Sequence, residues 1–171
     1  PGHPIKGFAT IYDMELVNVE GTGMIGVPGV AQRLFGSLKD VGVSVVMISQ
    51  ASSEHSICFA VPQAQAALAK STVERQFFAE IHQGQIQAVE TTGDCSVLAM
   101  VGDGMAEHPG IAGGFFTALG KAGVNVRAIA QGSSERNISA VIAQADARKA
   151  LRAVHSAFYL SNQTISIGII G

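Results

Sequence analysis

The sequence predicts an α+β protein made of two copies of one βαββαβ unit. Three observations lead there. Residues 21–61 align with 102–142 at a constant offset of 81, without a gap, and 17 of the 41 pairs are identical. Each copy runs through the same order of strand, helix and turn signals. Each also carries a glycine-rich stretch at the same strand-to-helix junction. A repeat this strong means two copies of one supersecondary unit, and it outranks any single motif. It also supplies an internal control, because a residue kept in both copies is needed twice.

In the first copy, Met14 to Val19 alternates apolar and polar residues, as a half-buried strand does. The glycine-rich loop follows. Pro28 stands where a helix begins, since its fixed φ suits a first turn and its missing N–H costs nothing there. Ala31, Leu34, Phe35 and Leu38 recur at helical spacing on one face. Gly42 ends that helix as a C′ residue. Val43–Gln50 is rich in β-branched residues and reads as a strand, Ala51 to Glu54 as a turn, and Ser56–Val61 as a third strand stopped by Pro62. Val73, Phe77 and Ile81 mark a second helix ending near Gly84, and Gln85–Val89 a short fourth strand.

The second copy repeats this order. It has a strand at Cys95–Val101, a helix at Pro109–Ala122, strands at Val124–Gln131 and Asn137–Ala143, and a helix from Asp146, a plausible N-cap. Ala147, Leu151, Val154 and Phe158 give that helix its apolar face. Two segments compete for its closing strand, Thr164–Ile170 and the N-terminal Phe8–Ile11. The N-terminal segment, otherwise partnerless, is favoured. The first unit (13–91) is then inserted inside the second (5–12 with 92–160), and 161–171 is left over.

Of the 171 residues, 47% are hydrophobic and only 14% charged. Such lean charge points to large surfaces buried against partners. A net charge of −2 gives no reason to expect nucleic acid. No apolar run reaches the roughly 18–20 residues of a membrane span. The chain opens Pro1-Gly-His-Pro4, with no basic segment of a signal peptide and no initiator Met, and so reads as an internal piece of a longer protein. Cys58 and Cys95 lack the neighbouring ligands a zinc site needs, and read as buried thiols of a reducing compartment.

Gly21-Thr-Gly-Met-Ile-Gly26 matches the G-x-G-x-x-G pattern of dinucleotide sites. The second copy argues against that use. Its loop has Glu107 where the third glycine falls, and a carboxylate there repels a pyrophosphate. The strand ending in Gln50 also lacks the acid that holds a ribose. A small-ligand loop fits better. Glycine lets backbone approach a ligand, and the free N–H groups of a helix start attract a carboxylate. A glutamine amide at a strand end, Gln50 or Gln131, carries donors and an acceptor that can read a hydroxyl. The same residues also serve as plain turn chemistry and solvated strand ends. His55, His82, His108 and His155 form no spaced metal set, and no Ser, His and Asp trio recurs. A binding module is favoured over an enzyme.

These residues resemble the ACT-domain family, βαββαβ units with a ferredoxin-like fold. Val19 to Met24, Met47 to Ser56, Ile129 to Glu135 and Ala150 to Ser156 are similar to the regulatory regions of bifunctional aspartokinase–homoserine dehydrogenases within it. The tail, Thr164 to Gly171, resembles the opening strand of the dehydrogenase nucleotide domain. The resemblance implies feedback control by bound L-threonine. By position, it implies ligand contacts from Ile25, Gly26, Val27, Pro28, Gly29 and Gln50 in the first copy. In the second it implies Ala106, Glu107, His108, Pro109, Gly110, Asn125, Ile129 and Gln131. Many family members carry Asp two residues before the loop proline, where this chain has Gly26 and Val27 ahead of Pro28, and Glu107 and His108 ahead of Pro109. A side-chain contact from Gly26 is therefore not expected, and the two sites should differ.

The resemblance also implies one ACT unit inserted in the other. The units are expected to pair edge to edge into an eight-stranded antiparallel sheet, which removes exposed edges, and to form dimers. No cofactor is expected in this segment. The parent chain would use ATP, Mg and NADP in its catalytic domains, in a bacterial cytoplasm or, from a plant, a plastid. Two further readings stay open, a lysine-sensing pair of an aspartokinase and a ligand-free oligomerisation module.

Overall fold

The computed structural model describes residues 5–22, 28–50, 55–108, 110–131 and 136–160, with backbone alone for Gln50, Ala106 and Leu160. Thr164–Ile170, the rival closing strand, lies outside them. The chain divides into two compact units. The first is Asp13–Cys95. The second joins Pro1–Tyr12 to Ser96–Gly171.

The elements are β1 (Ile5–Glu20), α1 (Val30–Asp40), β2 (Met47–Gln50), β3 (Ser56–Pro62), α2 (Ala66–Gln76), α3 (Phe78–His82), β4 (Ala88–Gly102), α4 (Ile111–Lys121), β5 (Val126–Gln131), β6 (Asn137–Ala143) and α5 (Ala147–His155). Strands in the first unit are hydrogen-bonded in the order β2-β3-β1-β4, and in the second β1-β4-β6-β5. β1 runs antiparallel to β3, β2 to β3, and β5 to β6. Six strands thus do the work expected of eight. β1 and β4 are each long enough to serve both units, so the separate strands expected at 8–11 and 14–19 fuse, as do those at 85–89 and 95–101.

The fusion has a visible device. Asp13 and Asp94, equivalent at the offset of 81, are the described non-glycine residues with positive φ, at 57° and 52°. A left-handed residue inside a strand is bulge geometry, which bends the strand and turns its later residues to a new face. Aspartate tolerates this region far better than a β-branched residue. Asp13→Val and Asp94→Val are each expected to cost about 1–2 kcal/mol in guanidinium unfolding, with Asp→Gly close to neutral. Equal losses for Val and Gly would refute a role for φ.

Each unit has its own core. In the first, Leu34 and Leu38 of α1 and Ala69 and Val73 of α2 pack on Val17, Val19, Ile57, Phe59 and Val61. The second places Phe115, Leu119, Ala150 and Val154 on Leu98, Met100, Ile138, Ala140 and Ile142. Ile5 lies in that cluster with Phe8 against it, in the positions Ile86 and Val89 take in the first core. The first helix of each unit ends alike. Gly42 (φ 81°) donates to Lys39 O at 3.0 Å and Val43 to Leu38 O at 2.9 Å. Gly123 (φ 75°) and Val124 repeat both bonds. This is the Schellman closure, with its apolar contact from Val43 to the core.

Four local expectations are corrected. Pro28 precedes the helix, because Gly29 (φ 83°) is its N-cap and lies outside helical φ. Asp146 makes no capping bond. It already has helical φ and ψ at the end of a 3₁₀ turn, and it pairs with Lys149 instead, at 3.4 Å. The helix expected through Val73, Phe77 and Ile81 breaks at Phe77 (φ −109°, ψ 29°), whose ring is buried in the core. The strands from Val43 and Val124 start later, since both residues are still tied to the preceding helix. No described helix is long and apolar enough to cross a membrane.

Candidate functional site

In the first unit, β1 and β2 are both antiparallel to β3 and so parallel to each other, ending at the same end of the sheet. The register sets Gln50, Ile57 and Val19 in one row across the three strands. Gly21 N–H donates to His55 O at 2.8 Å, pinning the chain after β1 to the start of β3. At the far end of the sheet, Val46 N–H donates to Ala60 O. Since α1 leads into that far end, its N-terminus lies at the Gln50 end. Gly29 thus begins a helix beside the loop and the glutamine strand. Ile25, Gly26 and Val27 lie outside the described residues. Pro28 and Gly29 are exposed.

The second unit repeats the frame. Gly102 N–H donates to Arg136 O at 2.9 Å, the counterpart of Gly21 and His55. Gln131 stands opposite Ile138, as Gln50 does Ile57. The loop turns at Gly104 (φ 62°) into a 3₁₀ turn, Met105–Glu107, with Met105 buried in the core as its anchor. Gly110 (φ 92°) is the N-cap of α4. Glu107, His108 and Gly110 are exposed, and Pro109 lies outside the described residues. Ile129, 47% exposed, shares the face of Gln131 two residues on. Asn125 falls one residue before β5. A bulge between Val126 and Ala128 breaks its phase with Ile129, so simple alternation does not unite the two.

The electrostatics favour an outside anion at the start of α1, while Glu107 opposes one at the start of α4. Neither α1 nor α4 has a side-chain cap or an acid in its first turn. The first N–H groups of a helix lack intrahelical partners, and the dipole there is positive. The loops themselves differ. No charged residue lies between Gly21 and Gln32, whereas the second loop holds Asp103, Glu107 and His108. Lys6 sits 3.8 Å from Asp103, with both side chains exposed. The Glu107 carboxylate leans over Gly104, 3.4 Å from where a Cβ would stand there. The second loop carries carboxylates that can meet an ammonium group, whereas beside the first the nearest carboxylate in the chain is Glu20 at the end of β1.

Beside the Gln50 row, Cys58 Sγ donates to Asn18 Oδ1 at 2.9 Å, and Asn18 Nδ2 to Glu20 Oε1 at 2.8 Å. Burial, and then the charge of Glu20, push the Cys58 thiol above its ordinary value. Such a thiol is a packing group with little thiolate to react. Among the described residues no three His, Cys, Asp or Glu side chains group as metal ligands. Sequence reasoning did not single out Arg33. It donates to Glu80 Oε2 at 2.9 Å and Gln76 O at 3.1 Å, and stacks 4.5 Å over the Phe77 ring. That tie fastens the start of α1 to α2 and α3. Nothing local marks it, because its partners stand more than 40 residues away.

Two tandem units on one frame, each with a glycine-rich stretch, a helix start without a side-chain cap and a glutamine strand end, define a class of repeated α+β modules. The ACT domain model matches residues 17–77 and 98–158, the same span twice. The chain belongs to the ACT-domain family and carries the module in tandem. Over 168 residues it is 53% identical to bifunctional aspartokinase/homoserine dehydrogenase 1, chloroplastic, of Arabidopsis thaliana, covering 98% of this chain and 18% of that protein. The Haemophilus influenzae bifunctional enzyme is 41% identical over 167 residues, 98% of this chain and 20% of its own length. Among solved structures, the regulatory subunit of aspartate kinase from Thermus flavus superposes with a TM-score of 0.75 at 28% identity, covering 91% of this chain and 99% of that one. The chain spans about a fifth of the bifunctional relatives it matches.

Proposed function

We propose that this tandem ACT region is the effector-sensing part of a bifunctional aspartokinase–homoserine dehydrogenase, and that its effector is L-threonine. The observation that carries the reading is the repeated frame, in which Gly21 with Gln50 and Gly102 with Gln131 stand at matching places around an open helix N-terminus. The likeness to bifunctional enzymes supports the choice of parent. The ligand carboxylate takes the helix-start N–H groups, and its hydroxyl takes the glutamine amide. Its ammonium meets Glu107 in the second unit and backbone carbonyls in the first. Binding shifts the parent's kinase and dehydrogenase toward an inactive state only as far as threonine prefers that state. The catalytic domains hold the ATP, Mg and NADP, and this segment holds no cofactor. The parent works as a homo-oligomer, dimeric through these modules, in a plastid if the source is a plant and in the cytoplasm if it is a bacterium.

The test is calorimetric titration of the chain with L-threonine, with L-lysine and L-homoserine as controls. Saturable heat with threonine alone is expected. Heat with lysine alone would replace this reading with that of a lysine sensor. Silence from all three would leave an assembly module.

A further inference from the structure

A cleft of about 660 Å³ lies between α1 and α2 on the helix side of the first unit, within Asp13–Cys95. It is in the size range of small-ligand sites. Its walls carry Arg33, Ser37 and Asp40 from α1, and Thr72, Arg75 and Gln76 from α2. The Arg33 guanidinium already holds Glu80 and the Gln76 carbonyl. Arg75 is in none of the ion pairs among the described residues. Thr72 is 3% exposed, and its hydroxyl has no hydrogen-bond partner. A buried hydroxyl left unpaired is a cost that native chains rarely keep without reason.

The second unit shows that packing does not require these groups. At the offset of 81, Arg33, Ser37, Thr72, Arg75 and Gln76 become Gly114, Ala118, Ala153, Ser156 and Ala157. Asp40 becomes Lys121, which reverses the charge at that end. The Phe158 ring lies 3.3 Å from where a Cβ on Gly114 would stand. The first unit lines its inter-helix cleft with two guanidinium groups, two hydroxyls and an amide, where the second keeps only the Ser156 hydroxyl at the same five places.

We propose that this cleft is a second, independent site for a small organic oxyanion, a carboxylate or a phosphate ester. Its anionic end lies on Arg75, with the Thr72 hydroxyl beside it as a donor, and its other end, a hydrogen-bond donor, lies toward Asp40 and the Ser37 oxygen. Ser37 Oγ donates to Leu34 O at 2.7 Å and still has lone pairs to offer a ligand donor. The cleft reaches Gly29 at the start of α1, but its anion-holding groups Arg75 and Thr72 stand on α2, so either reading can fail alone.

The experiment is a backbone-amide NMR titration of the whole chain, once with inorganic phosphate and once with glycolate, a carboxylate whose other end is a hydroxyl donor. Saturable shifts at Ser37, Thr72, Arg75 and Gln76, with none at Ala118, Ala153, Ser156 or Ala157, are expected from at least one anion. Which anion acts assigns the class. Arg75→Ala should weaken binding at least about tenfold while leaving L-threonine titration unchanged. Thr72→Val, which keeps the shape and removes the hydroxyl, should weaken anion binding without loss of stability. No saturable shift with either anion, equal shifts in the second unit, or shifts indifferent to Arg75→Ala would overturn the proposal.

Discussion

Gly21→Ala is expected to lower the stability of the first unit by about 3 kcal/mol, the upper end of overpacking costs. A Cβ at Gly21 would fall onto the carbonyl oxygen of Gln85 and 2.6 Å from Ile86 Cα. Both are backbone atoms, and no rotamer change moves them. Ile86 is 2% exposed in the core, so the clash can be relieved only by pulling that core apart. The Gly21 N–H bond to His55 O would go with it, and so would the frame of the loop at the Gln50 end. In a unit of this size the loss corresponds to a melting shift of roughly 12 °C or more. Gly36→Ala is the matched control. That glycine is inside α1, and nothing stands within 4 Å of its added Cβ. It should stabilise by about 0.5–1 kcal/mol through helix propensity. Guanidinium unfolding monitored at each unit reads both. A Gly21→Ala loss under about 0.5 kcal/mol would mean that the end of β1 is far softer than its packing implies.

What could be read from the sequence, and what could not, follows from whether the cause is local. The Schellman glycines, Gly42 and Gly123, announced themselves because a C′ glycine is a local requirement met twice. Leu34 and Leu38 of α1 and Ala147 and Val154 of α5 were legible for the same reason. Ala31, however, is exposed where Val30 is buried, and the half-buried alternation read over Met14–Val19 fails because Leu16 and Val17 are both buried in a central strand. The fused strands were not. A left-handed Asp13 inside a strand has no signature in composition, and its only trace is the matching Asp94, outside the window where the repeat is strongest. Pro28 misled because its φ suits a first helical turn, and only the positive φ of Gly29 shows that the turn comes first. Half of the candidate site was readable. Gln50 and Gln131 stand out as kept twice, but their places at the ends of parallel strands depend on β3 and β6 pairing between distant segments. The α1–α2 cleft was invisible, since Arg33 and Arg75 lie on outer faces of two helices far apart in the chain, and a sequence shows them as ordinary solvated cations.

Replacing both Gln50 and Gln131 by alanine is expected to reduce L-threonine affinity by roughly 10–100-fold, the loss of one well-placed polar contact in each site. The single substitutions are more informative than the pair, because the loops differ. The second loop has the Glu107 carboxylate available to the ligand ammonium. The first has no acid within its loop and thus relies more on its glutamine. If both units bind, Gln131→Ala should weaken one class of site and leave the other intact, and the titration should resolve two steps. Gln50→Ala should then abolish the first unit's binding more completely than Gln131→Ala does the second's. Adding Glu107→Gln to Gln131→Ala should remove what remains there, by a further factor that shrinks in high salt as an exposed charge contact must. If the double alanine variant binds threonine as the original chain does, the glutamines are ordinary strand ends. The repeat would then have kept them for the edge strands β2 and β5, whose exposed Ile48 and Ile129, also identical at the offset of 81, would become the residues to explain.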